Sequence, residues 1–256
     1  MSHPLRWLAL VALERPEMPA FEQVAAWRRE RFPSAAEMRA AGSTESLQTL
    51  TIGDQTAAIT LAPRPIPPSQ LEGPASTAWY WPDAAAQLKG HPAHLLVTLI
   101  DEGGPAVQKA QTLTELTAAL AATAPAVGVF WGPGRLVHQS QAFVDQAVQM
   151  AEGNLPLFLW IDFRIEPLGD GAYRLYTTGL EALGRMELEV RRFEVEPQEL
   201  LDFAYNVAHY LLDTPKTVND GDTIGLTDQV RATARHAKSM LGGDLDVIAL
   251  EFERET

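Results

Sequence analysis

The side chains with the most chemical potential cluster in Ala78-Trp79-Tyr80-Trp81-Pro82-Asp83-Ala84 and, shortly after, in His91-Pro92-Ala93-His94. Two imidazoles three positions apart share a helix face and can hold one metal ion, with a carboxylate completing the set. Here Pro92 intervenes and a strand pattern opens at His94. On a strand, residues three apart point to opposite faces. A zinc-protease helix also needs glutamate after its first histidine, where this chain has proline. His91 therefore reads as a loop residue and His94 as a hydrogen-bonded histidine near a strand start. The pair stays a weak metal candidate only, and no cofactor is expected. Trp79, Tyr80 and Trp81 read either as core or as a pocket or interface lining, because aromatic rings dominate both.

Carboxylates supply the second set of candidates. Asp220-Gly221-Asp222-Thr223-Ile224-Gly225, with Asn219 before it and Asp228 after it, has the look of a calcium loop. It lacks the alternating oxygen ligands and the closing glutamate that such a loop needs. A tight turn fits better: glycine supplies positive φ, and aspartate bonds neighbouring amides. Thr223 or Asp228 would then cap a following helix, and the acidic loop would face a basic partner. Glu187 and Glu189 fall on one face of a strand. Acid–base chemistry there would require burial and separated pKa values. With Arg185, Arg191 and Arg192 close by, the expectation is an exposed, ion-paired sheet face.

Signatures of nucleophilic and nucleotide chemistry are missing. The chain has no Gly-x-Ser-x-Gly elbow, no phosphate-cradling loop ending in Gly-Lys-Ser/Thr and no Gly-x-Gly-x-x-Gly. Gly132-Pro133-Gly134 lacks a third glycine, and its proline removes an amide; His138 and Ser140 follow it without the context of a catalytic pair.

The chain has 256 residues, a net charge of −13 and no cysteine. Disulfides, thiolate metal sites and a cysteine nucleophile are thereby excluded. Residues 151–256 hold 20 acidic against 10 basic side chains, residues 1–150 hold 13 against 10. Such a surface repels phosphate backbones, so no nucleic acid is expected; it would steer a basic protein. The first apolar run, Leu5–Leu13, is broken by Arg6 and has no cleavage site, and no stretch approaches the roughly 20 apolar residues that cross a bilayer. A cytoplasmic protein without membrane contact is expected.

The elements that must position these residues alternate between the two classes. Strand Leu5–Leu13, helix Phe21–Arg31, hairpin Ser46–Ile52/Thr56–Leu61, the stiff extended Pro63–Pro68 segment, helix Asp83–Lys89 and strand His94–Ile100 give a βαββαβ order. Helix Val107–Ala122, strand Ala126–Phe130, helix Gln139–Glu152 and strand Leu155–Ile165 follow. The last third reads as strands Tyr173–Thr178 and Met186–Phe193, helix Pro197–Leu212, a helix near Asp228–Ser239 and strand Val247–Phe252. The pattern predicts an α+β protein of two ferredoxin-like-type modules, antiparallel sheets covered by helices. The expected domains are residues 1–102, a central helix/strand segment 103–168, and an acidic module 169–256.

Five phrases in order, Pro65-Ile66-Pro67, Trp79 to Ala84, His91 to His94, Thr178-Gly179-Leu180 with Gly184 and Glu187, and Asp220 to Gly225, resemble a mostly bacterial family known as domain of unknown function 4261. The resemblance centres on residues 170–252 and extends upstream. It supplies no catalytic residues. Because related proteins are sometimes encoded beside secreted toxin systems, it implies a toxin-neutralising immunity role. The combined expectation is a non-enzymatic acidic binding protein that occludes a basic toxin, using Trp79, Trp81, Asp220, Asp222 and Asp228. The alternative is an enzyme, or a small-molecule or metal binder, with a cleft near Trp79, Trp81, His91 and His94.

Overall fold

Five consecutive buried residues, Ala9 to Leu13, make the first strand an interior one, because only a strand covered on both faces excludes water without alternation. A computed structural model describes residues 7–100, 103–194, 196–214, 217–225 and 231–253. It divides into two compact units, Met1–Trp160 and Ile161–Thr256.

The first unit begins with β1 (Leu8–Leu13), α1 (Phe21–Arg31), β2 (Met38–Ser43), β3 (Leu47–Ile52) and β4 (Gln55–Ala62). It continues with α2 (Pro68–Thr77), α3 (Ala84–Leu88), β5 (Ala93–Leu99), α4 (Ala106–Thr123), β6 (Ala126–Trp131), β7 (Leu136–Gln139), α5 (Ser140–Ala147) and α6 (Leu157–Trp160). Its sheet runs β2-β3-β4-β5-β1-β6-β7, with every neighbouring pair antiparallel. Leu10 and Ala12 turn to a core with Ile66, Leu71, Trp81 and Leu88 under α2 and α3. Ala9, Val11 and Leu13 turn the other way, where α4 packs across β1, β5 and β6. A buried ion pair ties α1 to α4: Arg28 donates to Glu115, and its second nitrogen donates to the Ala36 carbonyl at 2.7 Å. Burial pushes the Glu115 carboxyl up, and Arg28 opposes that rise.

The second unit holds β8 (Asp162–Gly169), β9 (Ala172–Thr178), β10 (Glu187–Phe193), α7 (Pro197–Asp213), β11 (Thr223–Gly225), β12 (Arg231–Lys238) and β13 (Asp246–Glu253). Its sheet is ordered β11-β12-β13-β10-β9-β8, with β10 parallel to β13 and the other pairs antiparallel. Leu175, Val190, Leu250 and Phe252 belong to the face under α7, where Phe203 meets Phe252 at 5.2 Å between ring centroids. The opposite face carries Asp162, Arg164, Glu166, Arg174 and Tyr176, in register across β8 and β9.

The α+β class is as the sequence pattern predicts; its finer expectations need correction. Neither sheet shows the ferredoxin-like order, since the first has seven antiparallel strands and the second six with one parallel pair. The compact units divide at Trp160/Ile161: β6 and β7 lie in the first sheet, and β8 opens the second. Between the expected helix and hairpin lies β2, an exposed edge strand with no apolar alternation to reveal it. Leu155–Ile165 is a short helix followed by the start of β8 rather than one strand. The helix expected near Asp228–Ser239 is β12, whose eight residues all pair with β13. Its Ala- and Arg-rich composition favours helix, and sheet pairing overrides that preference.

Candidate functional site

Helix α7 opens with Pro197 at its first position, and Leu200, Phe203, Ala204, Val207, Ala208 and Leu211 form a buried stripe at helical spacing. The flank of that stripe, Phe203, Asn206, Val207 and Tyr210, borders a groove. Its other wall is the segment after α7: Thr217 and Val218, then Asp222 and β11. The groove measures about 490 Å³, within the range of ligand pockets. Phe203, Val207 and Val218 are buried and form an apolar floor, while Asn206, Tyr210 and Asp222 are exposed at the rim.

The far wall is a turn pinned to β12. Gly221, at φ +88°, donates its amide to the Ala234 carbonyl at 2.8 Å, and the Ala234 amide donates to the Asp222 carbonyl at 2.8 Å. Asp222 Oδ2 accepts from the Asn219 backbone amide at 2.7 Å and from its side-chain amide at 3.3 Å. Asp220 Oδ1 accepts the His236 amide at 2.9 Å, and His236 Nε2–H donates to the Val218 carbonyl at 2.9 Å. The turn read from the sequence is present, with aspartates bonding backbone amides as expected. No helix follows it: Thr223 starts β11. Asp228 lies outside the described residues.

The other sequence candidates do not share one open cleft. Trp79 is 60% exposed, whereas Trp81, His91 and His94 are buried. Trp81 belongs to the core under α2 and α3. Trp79 meets Tyr80 edge-on, Tyr80 stacks on His138, and the Tyr80 hydroxyl donates to the Val137 carbonyl at 3.0 Å. The two histidines fasten the proline-rich segment instead. His91 Nε2 accepts the Ile66 amide at 2.7 Å while Nδ1–H donates to the Leu88 carbonyl, which leaves no lone pair for a metal. His94 Nδ1–H donates to the Arg64 carbonyl at 2.8 Å, and burial holds this imidazole below its ordinary pKa. Among the described residues, no three His, Asp or Glu side chains are arranged to hold a metal ion.

Glu187 and Glu189 correct a second expectation, for both are buried and neither pairs with arginine among the described residues. Glu187 accepts from the Thr177 hydroxyl at 2.7 Å and from the Gly179 and Glu181 amides at 2.8 and 2.9 Å. Burial raises its carboxyl above the usual range, and these donors pull it back. Glu189 accepts the Ser239 hydroxyl at 2.5 Å and the Met240 amide at 2.9 Å. Other carboxylates take the ion pairs: Glu166 on β8 binds Arg174 and Tyr176, and Arg192 on β10 binds Asp170 and Glu194. Gly132 and Gly134 answer to packing: a Cβ on Gly132 would meet the Leu8 carbonyl oxygen at 2.5 Å, and one on Gly134 would strike the Trp160 carbonyl.

The groove residues Phe203, Asn206, Val207 and Tyr210 escaped the sequence reading because helical spacing marks a buried stripe, not the neighbour facing its flank. The site so defined is an open groove beside α7 in an α+β unit, with one carboxylate, Asp222, among its described lining residues. Residues 176–251 match the family model described as Domain of unknown function (DUF4261), a span that contains every residue lining the groove. No curated protein and no solved structure matches the chain. No described helix is long and apolar enough to cross a membrane.

Proposed function

We propose that this chain is a non-enzymatic binding protein of the cytoplasm whose acidic C-terminal unit captures a basic surface of a protein partner. The observation that carries the reading is the groove: an apolar floor with the Asp222 carboxylate at its rim, in a unit with 19 acidic and 10 basic side chains. Excess negative charge raises the encounter rate of a basic partner, and the floor supplies the short-range contact that slows its departure. The family resemblance gives the specific case, a bacterial toxin neutralised by occlusion. Trp79, exposed on the first unit, is proposed as a second anchor of the kind that dominates interfaces.

The test begins with capture of partners from the native cell on the immobilised chain and on an Asp222→Asn/Tyr210→Ala variant. The purified partner is then followed by surface plasmon resonance at 50 and 300 mM salt. The reading expects a basic protein, slower association at high salt, weaker binding to the variant, and rescue of growth when the chain is co-expressed with that partner. A partner that is acidic, or indifferent to both salt and variant, overturns it.

A further inference from the structure

We infer that the groove between α7 and the Asn219–Asp222 turn is a pocket for an arginine side chain. This rests on the binding reading above and names what enters the site. A guanidinium carries five donors and no acceptor, on an aliphatic stem. The groove is its complement: Phe203, Val207 and Val218 supply a floor for the stem, and no Lys, Arg or His is among the described lining residues.

The rim supplies acceptors. Asp222 spends Oδ2 on the two Asn219 donors, and its Oδ1 takes no bond among the described residues. The Asn206 side-chain amide and the Tyr210 hydroxyl lie on the same groove and bond no described group. Tyr210 is 45% exposed, so its ring is open to a planar cation. Among the described lining residues an anionic ligand would face Asp222 without a compensating cation, and a purely apolar one would leave the rim acceptors unused. Asp220 and His236 are positioning residues, holding the wall from behind through the His236 amide and the Val218 carbonyl.

The experiment is a ¹H–¹⁵N NMR titration of the full chain with acetyl-Gly-Arg-Gly-amide, its citrulline analogue and its lysine analogue. Citrulline keeps the shape of arginine and removes the charge. The arginine peptide is expected to shift the amides of Asn206, Tyr210, Val218 and Thr223 and to bind about 3- to 10-fold tighter than the citrulline peptide, the sum of an exposed ion pair and a cation–π contact. Asp222→Asn keeps an acceptor for the Asn219 amide, so the turn persists while the preference for arginine falls by about 2- to 5-fold. Asp244→Asn, at a side chain 98% exposed and outside the groove, makes the same change in net charge and should leave binding as it was.

Equal binding of citrulline, tighter binding of lysine, or shifts confined to other regions would each overturn the pocket. Loss of peptide binding while protein capture stays Asp222-dependent removes the arginine pocket and spares the binding function. Arginine peptide bound in the groove with no partner captured does the reverse.

Discussion

Lowering the pH from 7 to 4 should weaken the first unit by about 3 kcal/mol through His138 alone. The ring is 3% exposed, stacks on Tyr80 at 5.4 Å and lies 5.7 Å from Phe143. Its Nε2–H donates to the Leu159 carbonyl at 3.3 Å, which fixes the neutral tautomer. Burial lowers its pKa from 6.5 to about 4. A histidine depressed in the fold stays neutral there while the unfolded chain takes up a proton, so stability is whole above pH 6.5 and falls as pH drops toward 4. With those two pKa values the loss is about 2 kcal/mol at pH 5 and about 3 at pH 4, levelling off below. That is a large share of the roughly 5–15 kcal/mol that holds a domain. All six tryptophans lie in Met1–Trp160, so tryptophan fluorescence during urea unfolding reports this unit. His138→Gln keeps a side-chain donor and removes the titration. Carboxylates titrate in both proteins and cancel in the difference, leaving a gap that widens by about 3 kcal/mol between pH 7 and 4. Parallel curves within about 0.5 kcal/mol would show that burial does not set this pKa, and the reasoning would fail.

Other perturbations probe the buried polar contacts. Glu187 carries a raised carboxyl, so its charge opposes folding increasingly as pH rises through the folded pKa. Glu187→Gln, which can still accept the Gly179 and Glu181 amides, should therefore be at least as stable as wild type at pH 7. Glu187→Leu, by stranding those donors, should lose about 2–3 kcal/mol; circular dichroism in urea separates the two, and equal losses would refute the account. His91→Ala removes the acceptor for the Ile66 amide and should cost about 1–3 kcal/mol. Zinc should leave the wild-type melting temperature unchanged; a zinc-dependent rise lost in that variant would return His91 to metal chemistry. Gly134→Ala drives a methyl group into the Trp160 carbonyl and should lower the urea midpoint of the first unit by the equivalent of about 1–3 kcal/mol. A neutral result would mean that close approach is not why glycine stands there.

Much of the fold was legible where an element buries one regular face. Phe21–Arg31 has the bounds read from the sequence, and α4, α7 and β13 extend their predicted spans by a residue or so at the ends. The failures share a cause: the deciding contact is distant in sequence. β2 gains its conformation from β3 alone and stays exposed. α2 begins at Pro68, where proline suits a helix start, but Gly73 and Pro74 within it suppress every helical signal. β12 looks helical until β13 pairs with all of it. Glu187 and Glu189 look like a charged surface because alternation reveals which residues share a face and not what covers that face.

The candidate site divides in the same way. Asp220 and Asp222 are equals in the sequence, two carboxylates flanking a glycine, and a shared role in meeting a basic partner follows from charge alone. The fold separates them. Asp222 borders the groove and keeps one carboxylate oxygen unspent among the described residues, whereas Asp220 turns to β12 and braces the wall through the His236 amide. Replacing both with lysine would therefore confound lost attraction with a loosened wall, since lysine can accept neither the Asn219 nor the His236 amide. Single amide replacements separate the two effects. Asp222→Asn changes charge in the groove and keeps its turn; Asp220→Asn keeps the brace and changes charge away from the lining. If binding of a basic partner falls with the first and holds with the second, attraction is local to the groove. If both fall alike and high salt abolishes the effect, the partner senses only the field of the acidic unit.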